Sequence, residues 1–159
     1  MASSDWNWRA PVELQDYPWD CAAASLAWAL QAAGLPYTEQ QVIEGLGPSR
    51  ISPELGLLDA SGAGLVSWLA EIGVTAMNNG DASWTDIIVS AGYQPMVMGG
   101  RAWNHWTGVR MGGPCFNGED LEFVALANPA PGWLDVGQYI NSDQFEDLGA
   151  FSAVWFTDW

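Results

Sequence analysis

The chain is poor in the residues on which most enzyme chemistries depend: of its 159 residues, one is histidine, two are cysteine and four are basic. One histidine and two distant cysteines cannot assemble a typical structural or catalytic zinc site, so no metal is expected. Two cysteines separated by most of the chain also fall short of the dense framework of a small disulfide-stapled secreted domain, and at most one bridge is possible. The four basic residues face nineteen acidic ones, for a formal charge of −15. That charge repels phosphate backbones and anionic lipid, so neither nucleic acid nor a membrane surface is an expected partner. No apolar run reaches transmembrane length, and the opening Met-Ala-Ser-Ser-Asp-Trp-Asn-Trp has neither the basic start nor the apolar core of a signal peptide. The default expectation is a soluble cytoplasmic protein. Also missing are a Gly-x-x-x-x-Gly-Lys-Ser/Thr loop, a dinucleotide Gly-x-Gly-x-x-Gly turn and a Gly-x-Ser-x-Gly elbow. No external cofactor is implied.

What remains is mostly apolar, 49% hydrophobic and 13% aromatic, which suffices for one core but not two. Without internal repeats, linkers or charge blocks, a single domain over residues 1–159 is expected. The eleven tryptophans are dispersed along the chain and read as core or cleft-wall residues.

The first half has helical punctuation. Asp20 is placed to cap a helix from Cys21 to about Ala33, with Gly34 as its stop and Pro36 beyond. Thr38-Glu39-Gln40-Gln41 has capping-box spacing ahead of Val42, Ile43 and Leu46. Arg50 to Leu58 reads as a loop bordering a cleft, Ala63 to Ile72 as a third helix, and a short fourth starts near Ser83. The second half is β-prone. Runs at 94–98, 105–111, 121–127 and 151–157 lie between Gly, Pro and Asn turns, with one short helix over 142–148. Loops too short for parallel crossovers make the sheet largely antiparallel, and the fold class is α+β.

The chemistry concentrates in Gln15-Asp16-Tyr17-Pro18-Trp19-Asp20-Cys21. A cysteine in the first turn of a helix meets unpaired N–H groups and the positive end of the helix dipole, which favour its thiolate. Asp20 opposes ionisation unless its carboxylate turns toward those N–H groups. A thiol nucleophile needs a base and a group to orient that base. His105, in Asn104-His105-Trp106, and Asn128, in Asn128-Pro129, supply candidates. The Gln15 amide and the Cys21 N–H would then converge on a tetrahedral oxyanion. Each residue also has a plain structural alternative: Cys21 as a packed small side chain, His105 as a satisfied core histidine, Asn128 as a turn residue and Gln15 as surface. Cys115, in a turn with no helix to activate it, reads as a bystander.

These residues resemble a papain-like cysteine peptidase, and within that superfamily the small C39 or C39-like group. The likeness rests on Gln15, on Asp20-Cys21-Ala-Ala-Ala-Ser-Leu at a helix start, on His105 opening a strand, and on Asn128-Pro129 closing the next. It spans about residues 12 to 157 in order. Two positions depart from the pattern: Ala22-Ala23 stand where C39 relatives often carry Gly-Pro, and Asn128 where they often carry aspartate. The resemblance implies a papain-like arrangement of N-terminal helices on a C-terminal sheet, and a thiol hydrolase acting on a peptide or protein through Cys21, His105, Asn128 and Gln15. Trp19, Trp103 and Trp106, with Trp28, are candidate substrate-cleft residues. The alternatives are a silent papain-like domain that binds a peptide or partner protein in its cleft, and a structural module of a larger assembly.

Overall fold

In a computed structural model of the chain, residues 5–100, 105–114, 122–130, 139–147 and 151–159 are described. After an extended N-terminal segment come helices α1 (Cys21–Ala32) and α2 (Glu39–Leu46), the two-residue strands β1 (Ile51–Ser52) and β2 (Gly56–Leu57), and helix α3 (Ala63–Glu71). Strand β3 (Thr75–Ala82), helix α4 (Trp84–Ser90) and strands β4 (Met96–Gly100), β5 (His105–Pro114) and β6 (Glu122–Ala127) follow. The chain closes with β7 (Tyr139–Asn141), α5 (Ser142–Asp147) and β8 (Phe151–Asp158).

Alanine decides how α1 sits. Every residue from Cys21 to Leu30 is buried, so the helix has no solvent face, and its small side chains let it lie close against the sheet. Its one large ring, Trp28, is fully buried beneath β5, where Gly108 makes room: a Cβ there would fall 2.3 Å from the indole. Trp28 Nε1 donates to the Ala10 carbonyl at 3.1 Å, and the Arg110 guanidinium donates to the Trp8 and Ala10 carbonyls at 2.8 Å each. These bonds lash the N-terminal segment across α1. The expectation of Trp28 as a cleft residue is therefore wrong, because a ring fully enclosed by helix and sheet has no surface to offer.

The Thr38–Gln41 capping box forms as its spacing predicts, and Ser83 with Asp86 forms another at the start of α4. Gly34, with φ +84°, ends α1 in the left-handed conformation that glycine accepts freely.

Six strands make one antiparallel sheet in the order β3-β8-β4-β5-β6-β7. Alternate residues of β4 serve two cores: Val97 packs with the core of α1, α2 and α3, and Met96 and Met98 with that of α4 and α5. Helices thus cover both faces, which is why all five residues of β4 are buried. The sequence reading omitted β3. Its residues Thr-Ala-Met-Asn-Asn-Gly-Asp-Ala carry no apolar alternation, and the strand is secured by pairing along β8. The expected loop from Arg50 to Leu58 contains the small antiparallel β1–β2 pair.

Candidate active site

Three elements converge on one cavity of about 550 Å³, lined among others by Cys21, His105, Trp106, Trp19, Gly99 and Gly100. The first turn of α1 carries the thiol. Strands β4 and β5 form the hairpin that pairs Gly100 with His105 and Gly99 with Trp106, so His105 and Trp106 enter the cavity from the start of β5. Residues Pro53 to Leu57, around the β1–β2 turn, supply the facing wall. Gly99 gives the Trp106 indole its place, since a Cβ at Gly99 would lie 2.5 Å from that ring.

The backbone N–H of Trp106 donates to Cys21 Sγ at 3.4 Å, which sets β5 directly against the nucleophile candidate. One residue earlier, His105 Nε2 lies 2.8 Å from Asn128 Oδ1, at the end of neighbouring β6. The Ala130 N–H donates to the same Oδ1 at 3.0 Å, which fixes the orientation of the Asn128 amide. An oxygen held as acceptor requires Nε2 to carry the proton, so in the neutral ring Nδ1 is the basic nitrogen. The group is enclosed: Asn128 is 0% exposed, His105 3% and Cys21 8%.

Burial reverses the electrostatics expected from sequence. Desolvation pushes the Cys21 thiol above its ordinary value, outweighing the Trp106 and Ala22 N–H groups that favour the thiolate, and the Asp20 charge adds to the rise. Burial also lowers His105, against the opposing effect of its bond to Asn128. Both shifts favour the neutral forms, thiol and imidazole.

Asp20 does not do what its position suggested. It occupies the N-cap of α1 without a side-chain capping bond; its two carboxylate oxygens instead accept the Tyr17 N–H at 3.1 and 3.2 Å, and its charge acts on the nearby Glu39. A tight loop that turns Tyr17 back over the helix start presents its own N–H first. Gln15 is held by two bonds: its backbone N–H donates to the Pro129 carbonyl at 3.1 Å, and its side-chain Nε2 to the Tyr17 carbonyl at 2.7 Å. Its Oε1 is buried without a hydrogen-bond partner, and Gln15 is not among the cavity-lining residues. Trp19 and Trp106 line the cavity, with Trp19 stacked on Tyr17 at a centroid separation of 5.8 Å. Trp103 and Cys115 lie outside the described residues. Sequence reasoning missed Gly99 and Gly100, whose signal was a glycine pair ending an apolar strand, and the Asp20–Glu39 contact, which had none.

Among the described residues, no helix is long and apolar enough to cross a membrane. No protein-family model matches the chain, and no curated protein matches its sequence. Among solved structures, it is similar to a double glycine motif protease from an AMS/PCAT transporter in complex with the leader peptide, with 21% identity, 92% of this chain and 90% of that one covered, and a TM-score of 0.62. It is also similar to the peptidase domain of Streptococcus ComA, a bi-functional ABC transporter involved in a quorum-sensing pathway, with 15% identity, coverage of 94% and 99%, and a TM-score of 0.64. At these identities the likeness is one of fold: the chain has the papain-like α+β fold of C39 peptidase domains.

Proposed function

We propose that a chain with this peptidase fold is itself a thiol hydrolase, cleaving a peptide or related amide bond through an acyl-enzyme on Cys21. The observation that carries the proposal is the His105–Asn128 contact, which leaves Nδ1 as the ring's basic nitrogen one residue from the Trp106 N–H that touches Cys21 Sγ. As Sγ attacks the carbonyl carbon, its proton passes to His105 Nδ1. The carbonyl oxygen takes the negative charge and is met by the Cys21 N–H, at the start of α1 where backbone donors lack helical partners, and by the second N–H of the Gln15 amide. Collapse of the tetrahedral intermediate expels the amine, which leaves with the proton held on His105. Water then attacks the thioester, giving a proton to His105 that returns to sulfur as the acid departs. No cofactor takes part in the scheme.

A pair that favours its neutral forms suits general-base attack coupled to substrate binding, because the thiol is then not spent on stray electrophiles. The double glycine motif named for the similar protease points to a substrate with small residues at the scissile bond. A peptide of that kind is the substrate class we propose.

A second reading has a specific observation behind it. The burial of Cys21 and the engagement of Gln15 Nε2 with Tyr17 also suit a domain that binds a peptide without cleaving it. Incubating the wild type and Cys21→Ala with a peptide library rich in Gly-Gly sites, read by mass spectrometry, separates the two. Cleavage by the wild type and retained binding without cleavage by the variant support the hydrolase; binding by both with no products supports the silent domain.

A further inference from the structure

Beneath the loop that carries Gln15 lie two carboxyl groups that the proposed chemistry does not use. Asp20 is 0% exposed and Glu39, the first residue of α2, 4%. They come from different elements, and each side chain accepts a backbone N–H of the same loop: Tyr17 N–H donates to Asp20 at 3.1 and 3.2 Å, and Asp16 N–H donates to Glu39 Oε1 at 3.3 Å. Ionised carboxylates only accept and repel one another, so a shared proton is what lets the two sit side by side.

We infer that Glu39 is a positioning residue, which together with Asp20 clamps the Asp16 and Tyr17 N–H groups and so holds the loop from Gln15 to Trp19 in place beside the cleft. The consequences run through Tyr17, whose carbonyl accepts the Gln15 amide and whose ring stacks on Trp19. One Tyr17 N–H spans both Asp20 oxygens, while Glu39 accepts the Asp16 N–H through Oε1. The surroundings agree. Among the described residues, the titratable groups facing Glu39 are Asp20, Asp16 on the loop, and Glu13, whose Oε1 accepts the Glu39 N–H at 3.4 Å. Past Cys21, α1 has no charged residue. The ion pair of Arg50 and Glu71 is at the other end of α2, where Arg50 donates to the carbonyl of its last residue, Leu46. Among the described residues, no cation is recorded against Asp20 or Glu39.

Burial first, then Asp20, pushes Glu39 up to about 9 from an ordinary 4.5. The folded chain therefore keeps, between those values, a proton that the unfolded chain has released. The resulting stability is fully present below pH 4.5 and is lost as pH rises through about 9. Loss of the proton sets two buried carboxylates against each other and releases the loop.

The inference about catalysis rests on the hydrolase reading, but the clamp can be tested without turnover. Glu39→Gln supplies a permanent N–H to Asp20, and Glu39→Ala supplies none. Amide hydrogen exchange at Asp16 and Tyr17, compared at equal pH, should show protection retained in Glu39→Gln at pH 9.5 and lost in the wild type. At pH 7, Glu39→Ala should lose roughly tenfold or more of that protection, equivalent to one charge-assisted hydrogen bond. The alkaline limb of kcat/KM should flatten in Glu39→Gln only. Exchange in Glu39→Gln that tracks the wild type at every pH overturns the clamp, whether or not peptides are cleaved. Exchange as expected with no cleavage by the wild type keeps the clamp and rejects the hydrolase.

Discussion

Replacing Asn128 by aspartate tests whether the imidazole communicates with the thiol. The wild-type contact is a bond between neutral groups, His105 Nε2–H to Asn128 Oδ1 at 2.8 Å, in a fully buried setting. Such a bond is worth about 0.5–1.5 kcal/mol net, and one to a charged group about 1.5–3. Asn128→Asp has nearly the same shape, so the Ala130 N–H keeps its acceptor, while the new carboxylate favours the imidazolium by the difference, about 1–1.5 kcal/mol. Because one pKa unit corresponds to about 1.4 kcal/mol, His105 rises by roughly one unit and offsets part of the lowering that burial imposes. A stronger base raises the population of the thiolate–imidazolium form at the expense of the neutral pair, about tenfold per unit. The assay is the rate of iodoacetamide alkylation of Cys21 against pH, with peptide mapping to separate it from Cys115. The rate on the plateau between the imidazole and thiol titrations is expected to rise about tenfold, while the alkaline limb stays above the ordinary thiol range. A plateau rate that stays put or falls would refute the coupling, and with it His105 as the base.

Gln15→Ala removes a proposed oxyanion donor, and steady-state kinetics should show kcat falling about a hundredfold, some 3 kcal/mol of barrier, with KM little changed; an equal loss in both would mean that Gln15 only shapes the cleft. Gly108→Ala drives a methyl into the Trp28 ring, with a Cβ position 2.3 Å away, and should cost about 1–3 kcal/mol, seen as a lower urea midpoint at unchanged slope. Wild-type unfolding free energy should fall with pH between 4.5 and about 9 at up to about 1.4 kcal/mol per unit more steeply than that of Glu39→Gln, measured by urea titration in matched buffers.

Local signals in this sequence were good guides where the deciding contact is local. The capping box at Thr38, the glycine stop after α1 and the helix start at Cys21 each depend on neighbours within one turn, and each formed. The closeness of His105 and Asn128 was legible because adjacent antiparallel strands bring a strand start beside the next strand's end. Strand β3 was not legible, since its order comes from β8 and not from its own polar residues. Asp20 looked like a cap for the same reason that Glu39 went unnoticed. The preference of a carboxylate is settled by a partner from another helix, and no spacing rule reports that contact. Burial set the ionisation of Cys21 against its helix position, and burial is a property of the whole fold.

The helix that carries Cys21 has no side facing water, and this bears on how the molecule ages. A nucleophile on a surface helix is exposed whenever that helix frays, so inactivation can outrun unfolding. Here α1 is enclosed by α2, β4 and β5, and exposing the far side of its first turn requires dismantling the core. Reagents too bulky for the cleft should therefore reach the sulfur only at the rate of global unfolding, and the working life of the thiol becomes a kinetic property of the entire chain.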